Sequence, residues 1–587
     1  MAPVTDVRAQ ALIVAALLLA AVATVAIGAY GVRLARTTSD FLVASRSVGP
    51  RWNAAAISGE YLSAASFLGV AGLIAKYGAD ALWYPVGFTA GYLGLLMFVA
   101  APLRRSGAYT VPDFAEFRLG SPTLRRLAAV VVVLVCAVYL IPQFQGAGLT
   151  LRILLGLPGW VGALAVGAIV IANVAGGGMR SITLVQAFQY WLKLTAVALP
   201  ALVLLGHFLG APREIGTPAP PVVAEATTVE VSTDVLVRVR AAQQVVVNGR
   251  LDGEQVDGTV TLTPGTHELA ADTELVLPAG ATVPVVEGAP ADGASWLEPG
   301  GGLGGPHPTY QVFSLMVATF LGTMGLPHVL VRFYTNPDGR AARTTALAVI
   351  GLVGLFYLFP VLLGVFSRLY VPQLLLTGTS DAAVLLLPGS VLAGLPGQLI
   401  AALVAAGAIA AFLSTSSGLL VSIAGVLSTD VLRGRVRDFR VAAIVAGVAP
   451  LALSLGVVSL DLSRTVGLAF AVAASTLAPL LVLGIWWRGL TARGAAAGLC
   501  VGGLLAGTAT AVSVLGGAPE SVAHGWLAAL LGYPAAISVP AAFATMIAVS
   551  VLTGGRPADR ARGVFARMHA PERLGMGADR EPGARGA

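Results

Sequence analysis

The chain has 587 residues; 56% are hydrophobic and only 11% charged, with 36 Lys and Arg against 29 Asp and Glu. A soluble globular chain carries roughly 25% charged residues, so this composition excludes a protein that faces water throughout. The formal charge of +7 does not mark a nucleic-acid partner, because the arginines sit in short stretches between apolar runs.

Apolar runs of ~20 residues can cross a hydrocarbon core of ~30 Å as helices. Membrane spans are expected near residues 11–32, 53–75, 82–103, 127–148, 159–178, 183–208, 310–331, 344–367, 398–425, 440–458, 464–486, 494–515 and 525–552, about thirteen in all. The 71 glycines suit closely packed membrane helices. The first run is long for a signal peptide, and its charges (Arg33, Arg36, Arg46 and Arg51) follow it, so it reads as an uncleaved helix with the N-terminus outside. Alternate loops support that orientation. Arg104, Arg105, Arg118, Arg125 and Arg126 follow the third span, Arg332, Arg340 and Arg343 the seventh, Arg433, Arg435, Arg437 and Arg440 the ninth, and Arg488 and Arg493 the eleventh. The tail adds Arg556, Arg560, Arg562, Arg567, Arg573, Arg580 and Arg585, whereas the opposite short loops hold little beyond Lys76, Arg152, Arg368 and Arg464. The expectation is a multi-pass cell-membrane protein of bacterial type with its C-terminus in the cytoplasm.

Residues 212–306 break the apolar pattern between two blocks of helices, 1–211 and 307–553. Val229, Val231, Val235, Val237 and Val239 alternate within Thr228–Arg240, and Val245–Val247 precedes Asn248-Gly249, a hairpin-turn pair. Gly258-Thr-Val-Thr-Leu-Thr and Glu274-Leu-Val-Leu-Pro read as further strands. An extracytoplasmic β-rich insert of roughly 60 residues is expected, flanked by linkers at Pro218-Ala-Pro-Pro and Pro299-Gly-Gly-Gly and able to be shortened without disturbing the helices. Residues 554–587 read as a disordered cytoplasmic tail.

Several spans carry polar interruptions. Ser58-Gly59-Glu60-Tyr61-Leu62-Ser63 interrupts the second and Gly322-Thr323-Met324-Gly325-Leu326-Pro327 the seventh. They occupy matching positions in two five-helix halves once the first span is set aside, as an inverted repeat predicts, and secondary transporters place their sites at such breaks. The ninth span contains Ser414-Thr415-Ser416-Ser417; these hydroxyls either bond back to the helix or, with freed carbonyls, offer oxygens to a small hard cation. Gln143 and Gln145, near Pro142, interrupt the fourth span, and Glu60 and Lys193 are ionisable residues at membrane depth. His328 and Arg332 read as structural or gating residues at the end of a broken helix. Cys136 and Cys500 lie inside apolar runs and read as packing residues, and no nucleotide loop, metal cluster or nucleophile–base pair is evident.

Asp40-Phe-Leu-Val-Ala-Ser-Arg, Gly59-Glu-Tyr-Leu-Ser-Ala-Ala-Ser-Phe-Leu-Gly, Gly322-Thr-Met-Gly-Leu-Pro-His-Val-Leu-Val-Arg-Phe-Tyr-Thr and Val466-Gly-Leu-Ala-Phe-Ala-Val-Ala-Ala-Ser resemble the sodium:solute symporter family, in particular its cation/acetate symporter branch. The resemblance runs from about residue 38 to 515 outside the insert. It implies an all-α membrane fold with a five-helix inverted-repeat core and a sodium site made by the carbonyls of Gly59, Leu62 and Ala411 and the hydroxyls of Ser414 and Thr415. It places Gln186 where several sodium-coupled relatives carry an aspartate. The expected activity is import of a short monocarboxylate such as acetate, propionate or pyruvate, driven by sodium or alternatively by protons. The carboxylate is expected against the backbone N–H groups near Ser63–Ser66, at the positive end of a half-helix, with Gln143, Gln145, Thr323 and Phe470 closing the pocket. A symporter of proline or a sugar, a non-transporting membrane sensor and a membrane enzyme are the competing readings. The short tail argues against the sensor and the missing catalytic constellation against the enzyme.

Overall fold

A computed structural model describes residues 7–34, 38–231, 234–304, 307–377, 380–432, 435–456, 462–516, 525–554, 559–570 and 574. Among the arginines used to read topology, Arg36, Arg433, Arg556, Arg573, Arg580 and Arg585 lie outside them. Each expected span falls mainly on helix, although residues 457 and 458 of the tenth lie outside the described residues. The principal helices are α1 (Val7–Leu34), α2 (Pro50–Tyr61), α3 (Val70–Tyr77), α4 (Trp83–Phe98), α5 (Pro122–Leu155), α6 (Gly159–Gly210), α7 (Pro308–Gly325), α8 (Pro327–Phe333) and α9 (Gly339–Tyr370). They continue with α10 (Gly394–Val426), α11 (Val436–Ser454), α12 (Leu462–Ser475), α13 (Leu477–Trp486), α14 (Ala492–Gly516), α15 (Ala535–Thr553) and α16 (Asp559–His569).

Among the described residues, nine helical runs are long and apolar enough to cross a membrane, or ten if the bent pair α7 and α8 forms one span. This count by length and composition does not confirm the expected thirteen, because it joins or leaves out several of the expected spans. Residues 65–98 form one run, as does the whole of α6, although a left-handed Gly178 bends α6 where two spans were expected. The short α11 is too charged to qualify, with Arg437, Asp438 and Arg440 in its first turns.

Every residue from Val404 to Val426 in α10 is buried, and so is every residue from Asn53 to Lys76 across α2 and α3. Apart from Asn53, Glu60 and Lys76 these segments are mostly apolar or small, the pattern of a helix enclosed by others. α6 packs along α10, α2 and α1, and α7 lies between α4 and α12. Large apolar side chains such as Leu18, Leu19, Leu134, Leu199, Leu358 and Leu504 point outward, which suits a hydrocarbon surround.

The insert is an antiparallel seven-stranded sheet: β1 (Thr227–Val231), β2 (Val235–Val239), β3 (Gln243–Leu251), β4 (Glu254–Leu262), β5 (Gly265–Leu269), β6 (Thr273–Leu277) and β7 (Val285–Val286). The order is β1-β6-β3-β5-β2-β7, with β4 paired to β3. The alternating valines read from the sequence do point inward. Two details differ from expectation. Thr228–Arg240 forms two strands that pair with different partners, β6 and β5. Asn248-Gly249 lies within β3; the β3–β4 turn is Asp252-Gly253, both at positive φ. Either pair can make a type I′ turn, and the register that buries Val245, Val247 and Leu251 together selects the later one.

The insert is not a detachable appendage. Leu375 and Leu376, from the helical part, complete its core. The Trp296 indole donates to the Ile74 carbonyl at 2.7 Å, and Arg368 donates to Ala75, Pro290 and Asp292 carbonyls. Asp80 accepts from the Gly300 and Gly302 amides. Shortening across residues 290–303 would therefore cut bonds to the ends of α3 and α9, contrary to the linker reading. The tail also carries structure: α16 lays Phe565 under the Arg118 guanidinium at 4.5 Å, and His569 packs on Trp486.

Candidate transport site

The break expected at Gly59–Ser63 is present. α2 ends at Tyr61, Leu62 turns out of helical geometry, and a π-turn over Ala65–Gly69 leads into α3. A break leaves the last carbonyls of one helix and the first N–H groups of the next without helical partners. The second break, Leu326-Pro327, bends α7 against α8 by 41°; Pro327 has no N–H to continue the ladder.

The freed carbonyls of α2 converge on Lys193 from α6. Its Nζ donates to the Gly59 carbonyl, to the Leu62 carbonyl at 2.6 Å and to Ser414 Oγ at 2.9 Å. Ser414 gives its own hydrogen to the Ala411 carbonyl at 3.1 Å, so its oxygen accepts from Lys193. Three acceptors on one nitrogen match the three N–H donors of an ammonium. The Thr415 hydroxyl instead donates to the Glu60 carbonyl at 2.6 Å. The expected sodium ligands thus share one locus, and Gly59, Leu62 and Ser414 surround a lysine nitrogen there.

Glu60, fully buried, receives Arg332 Nε at 2.6 Å. Arg332 also donates to Thr183 Oγ1 at 2.7 Å and to Gln186 Oε1, while Gln186 Nε2 donates to the Ser414 carbonyl at 2.7 Å. The Arg332 carbonyl accepts from Asn53 Nδ2. This network joins α2, α6, α8 and α10. Arg332 is therefore no loop marker of topology; it is fully buried. Gly59 and Gly418 permit the approach, since a Cβ would press on the Gln186 carbonyl at the first and on the Glu60 carboxylate at the second.

Five of the six expected substrate residues lie around the break. Gln143 Oε1 accepts from the Ala64 N–H at 3.4 Å, Ser66 shares a 2.8 Å hydrogen bond with the Tyr357 hydroxyl, and Thr323 shares one of 2.9 Å with Tyr61. Ser63 sits at the break itself. Phe470 packs against Phe88, Tyr61 and Tyr139 with ring centroids 4.9, 6.2 and 6.0 Å away. Gln145 does not join them: it turns toward α11 and donates to the Ser454 carbonyl at 3.4 Å. Two residues on, its side chain leaves the helix face that Gln143 occupies.

The structure adds residues that the sequence reading left out of the pocket. Tyr61, Phe88, Tyr92, Tyr139, Tyr357 and His328 form an aromatic wall, with His328 5.4 Å from Tyr139. Tyr61 stood within the motif that marks the break, Lys193 stood out as a charge at membrane depth and His328 was read as a structural or gating residue; the other rings gave no local signal. Ser58 Oγ, Glu60 Oε1, Ser63 Oγ, Tyr92 Oη, Gln143 Nε2 and both His328 nitrogens are buried without hydrogen-bond partners. Buried polar atoms are normally satisfied, and these gather around the break.

Broken helices that meet at membrane depth around buried charge define a secondary transporter. The model of the sodium:solute symporter family matches residues 41–238 and 295–502, and the chain belongs to that family. The unmatched stretch between falls within the insert. A monocarboxylic acid transporter of Corynebacterium glutamicum is 30% identical over 87% of this chain and 86% of its own length. An uncharacterized symporter of Bacillus subtilis, YwcA, is 28% identical over 95% of this chain and 97% of its own. A Na+-coupled sialic acid symporter, solved in a substrate-bound outward-open state, shares the fold with a TM-score of 0.61 at 14% identity, covering 94% of this chain and 99% of that one. Sodium coupling is the general property of the family.

Proposed function

We propose that this chain is a symporter that imports a short-chain monocarboxylate, such as acetate, propionate or pyruvate, down a cation gradient. The observation that carries the reading is the charge at the break. Glu60 is paired with Arg332, and the Lys193 ammonium makes its three bonds to uncharged oxygens. The cluster therefore holds a surplus positive charge in a buried place, where an uncompensated ion is costly. One carboxylate restores neutrality; a sugar does not, and a zwitterion brings its own cation. The first N–H groups after the break, around Ser63–Ser66, add partial positive charge. Gln143 and Thr323 supply polar contacts and Phe470 an apolar wall for a short alkyl group. The similar C. glutamicum protein, a monocarboxylic acid transporter, supports this reading.

In this reading the insert lies on the outer face, the N-terminus is outside and the C-terminus is cytoplasmic, as the arginine distribution suggests. Uptake into proteoliposomes of labelled acetate, propionate, pyruvate, proline and glucose, under imposed sodium and proton gradients, tests it. Concentrative uptake of the monocarboxylates alone is expected. Accumulation of proline or glucose instead, or of none of the five, refutes the reading.

A further inference from the structure

We infer that Lys193 is the resident cation of this chain: its ammonium replaces the sodium ion that family membership implies between α2 and α10, and this locus takes no sodium. A small hard cation is held by several oxygens at once. Of the five oxygens that the family resemblance assigns to the ion, the carbonyls of Gly59 and Leu62 and the hydroxyl of Ser414 accept from Lys193. The Ala411 carbonyl accepts the Ser414 hydrogen, and the Thr415 hydroxyl is directed at the Glu60 carbonyl. None is left over for a second ion, and a second cation in contact with the ammonium would be repelled by it.

The locus is built for the lysine. Gln186 and Lys193 lie seven residues apart on α6, hence on one face, and both address Ser414. Gln186 holds its carbonyl at 2.7 Å and Lys193 its hydroxyl at 2.9 Å. Ser414 is thereby fixed with its oxygen toward the ammonium. Lys193 is fully buried, so no solvent competes for its donors. A bound sodium ion would tie the broken end of α2 to α10 only while bound. A tethered ammonium ties them without a diffusible ion, and its charge stays beside the break in every cycle. The consequence for substrate, a standing attraction for one carboxylate, rests on the proposed monocarboxylate reading; the exclusion of sodium does not.

The test is equilibrium 22Na+ binding to the purified full-length protein in lipid nanodiscs, for wild type, Ser414→Ala, Lys193→Met and Lys193→Met/Ser414→Ala, with acetate binding measured in parallel in choline buffer. Wild type and Ser414→Ala should bind sodium indistinguishably. Lys193→Met should gain one saturable sodium component that the double variant loses. Saturable sodium binding by wild type that Ser414→Ala abolishes overturns the inference, as does a folded Lys193→Met with no gain. Should Lys193→Met not fold, the comparison of wild type with Ser414→Ala decides alone. Acetate binding reports separately on the substrate: its absence refutes the monocarboxylate reading and leaves the sodium result standing.

Discussion

Separating Glu60 from Arg332 is the perturbation with the largest expected effect on stability. Opposite charges roughly 4 Å apart at an effective dielectric near 20 attract by about 4 kcal/mol, and removing one partner of a buried pair typically costs about 3–5 kcal/mol. Arg332→Met loses the bond to Glu60 and also those to Thr183 and Gln186, each worth about 1 kcal/mol. Glu60→Gln keeps an amide oxygen for Arg332 Nε and leaves the other two bonds in place. The arginine variant should therefore lose about 5 kcal/mol and the glutamine variant about 3 kcal/mol. In the double variant neither member of the pair is left without the other, so its loss should fall short of the sum by about 3 kcal/mol. Equilibrium unfolding in mixed detergent–lipid micelles, run as a double-mutant cycle, measures this coupling. Additive losses, or single variants within 0.5 kcal/mol of wild type as for an ordinary surface change, would refute the account of the pair as one desolvated unit.

Thr415→Ala should weaken the joint between α10 and the broken end of α2 by about 1 kcal/mol, seen as faster amide exchange over residues 59–66. Gly59→Ala presses a methyl on the Gln186 carbonyl and should cost about 1–3 kcal/mol, with thermal unfolding as the readout. Trp296→Ala removes a buried ring and its bond to Ile74 and should cost about 3–5 kcal/mol, read by thermal unfolding. In the insert, burial pulls the His267 imidazole down, but its bonds to Asp252 and Thr263 and the Asp252 charge outweigh this, and its pKa is raised above 6.5. Burial pushes Asp252 up, yet the His267 and Glu268 bonds dominate and leave it lowered from 3.8. The imidazolium contribution is thus full below pH ~6.5 and lost as pH rises through the raised value, while the carboxylate contribution is lost on acidification below ~3.9. Protease resistance of the β4–β5 region should peak between those limits and fall toward pH 8; His267→Gln should abolish that fall.

What the sequence by itself determined was membership of the membrane, the positions of the helices and the two broken spans, because apolar run length and a Gly or Pro inside a run act locally. It also determined the inward valines of the insert, for strand alternation is local too. Depth in the fourth span marked both Gln143 and Gln145, and only Gln143 reaches the break. The tertiary structure decided the rest. The turn at Asp252-Gly253 prevailed over Asn248-Gly249 because pairing with β6 and β5 sets which valines are buried. Gln145 faces α11 because the rotation of α5 is set by its neighbours. Above all, nothing local to Lys193 says where its nitrogen goes. Gly59, Leu62, Lys193 and Ser414 are spread over three helices, and only the packing of α6 between α2 and α10 brings their polar atoms to one point.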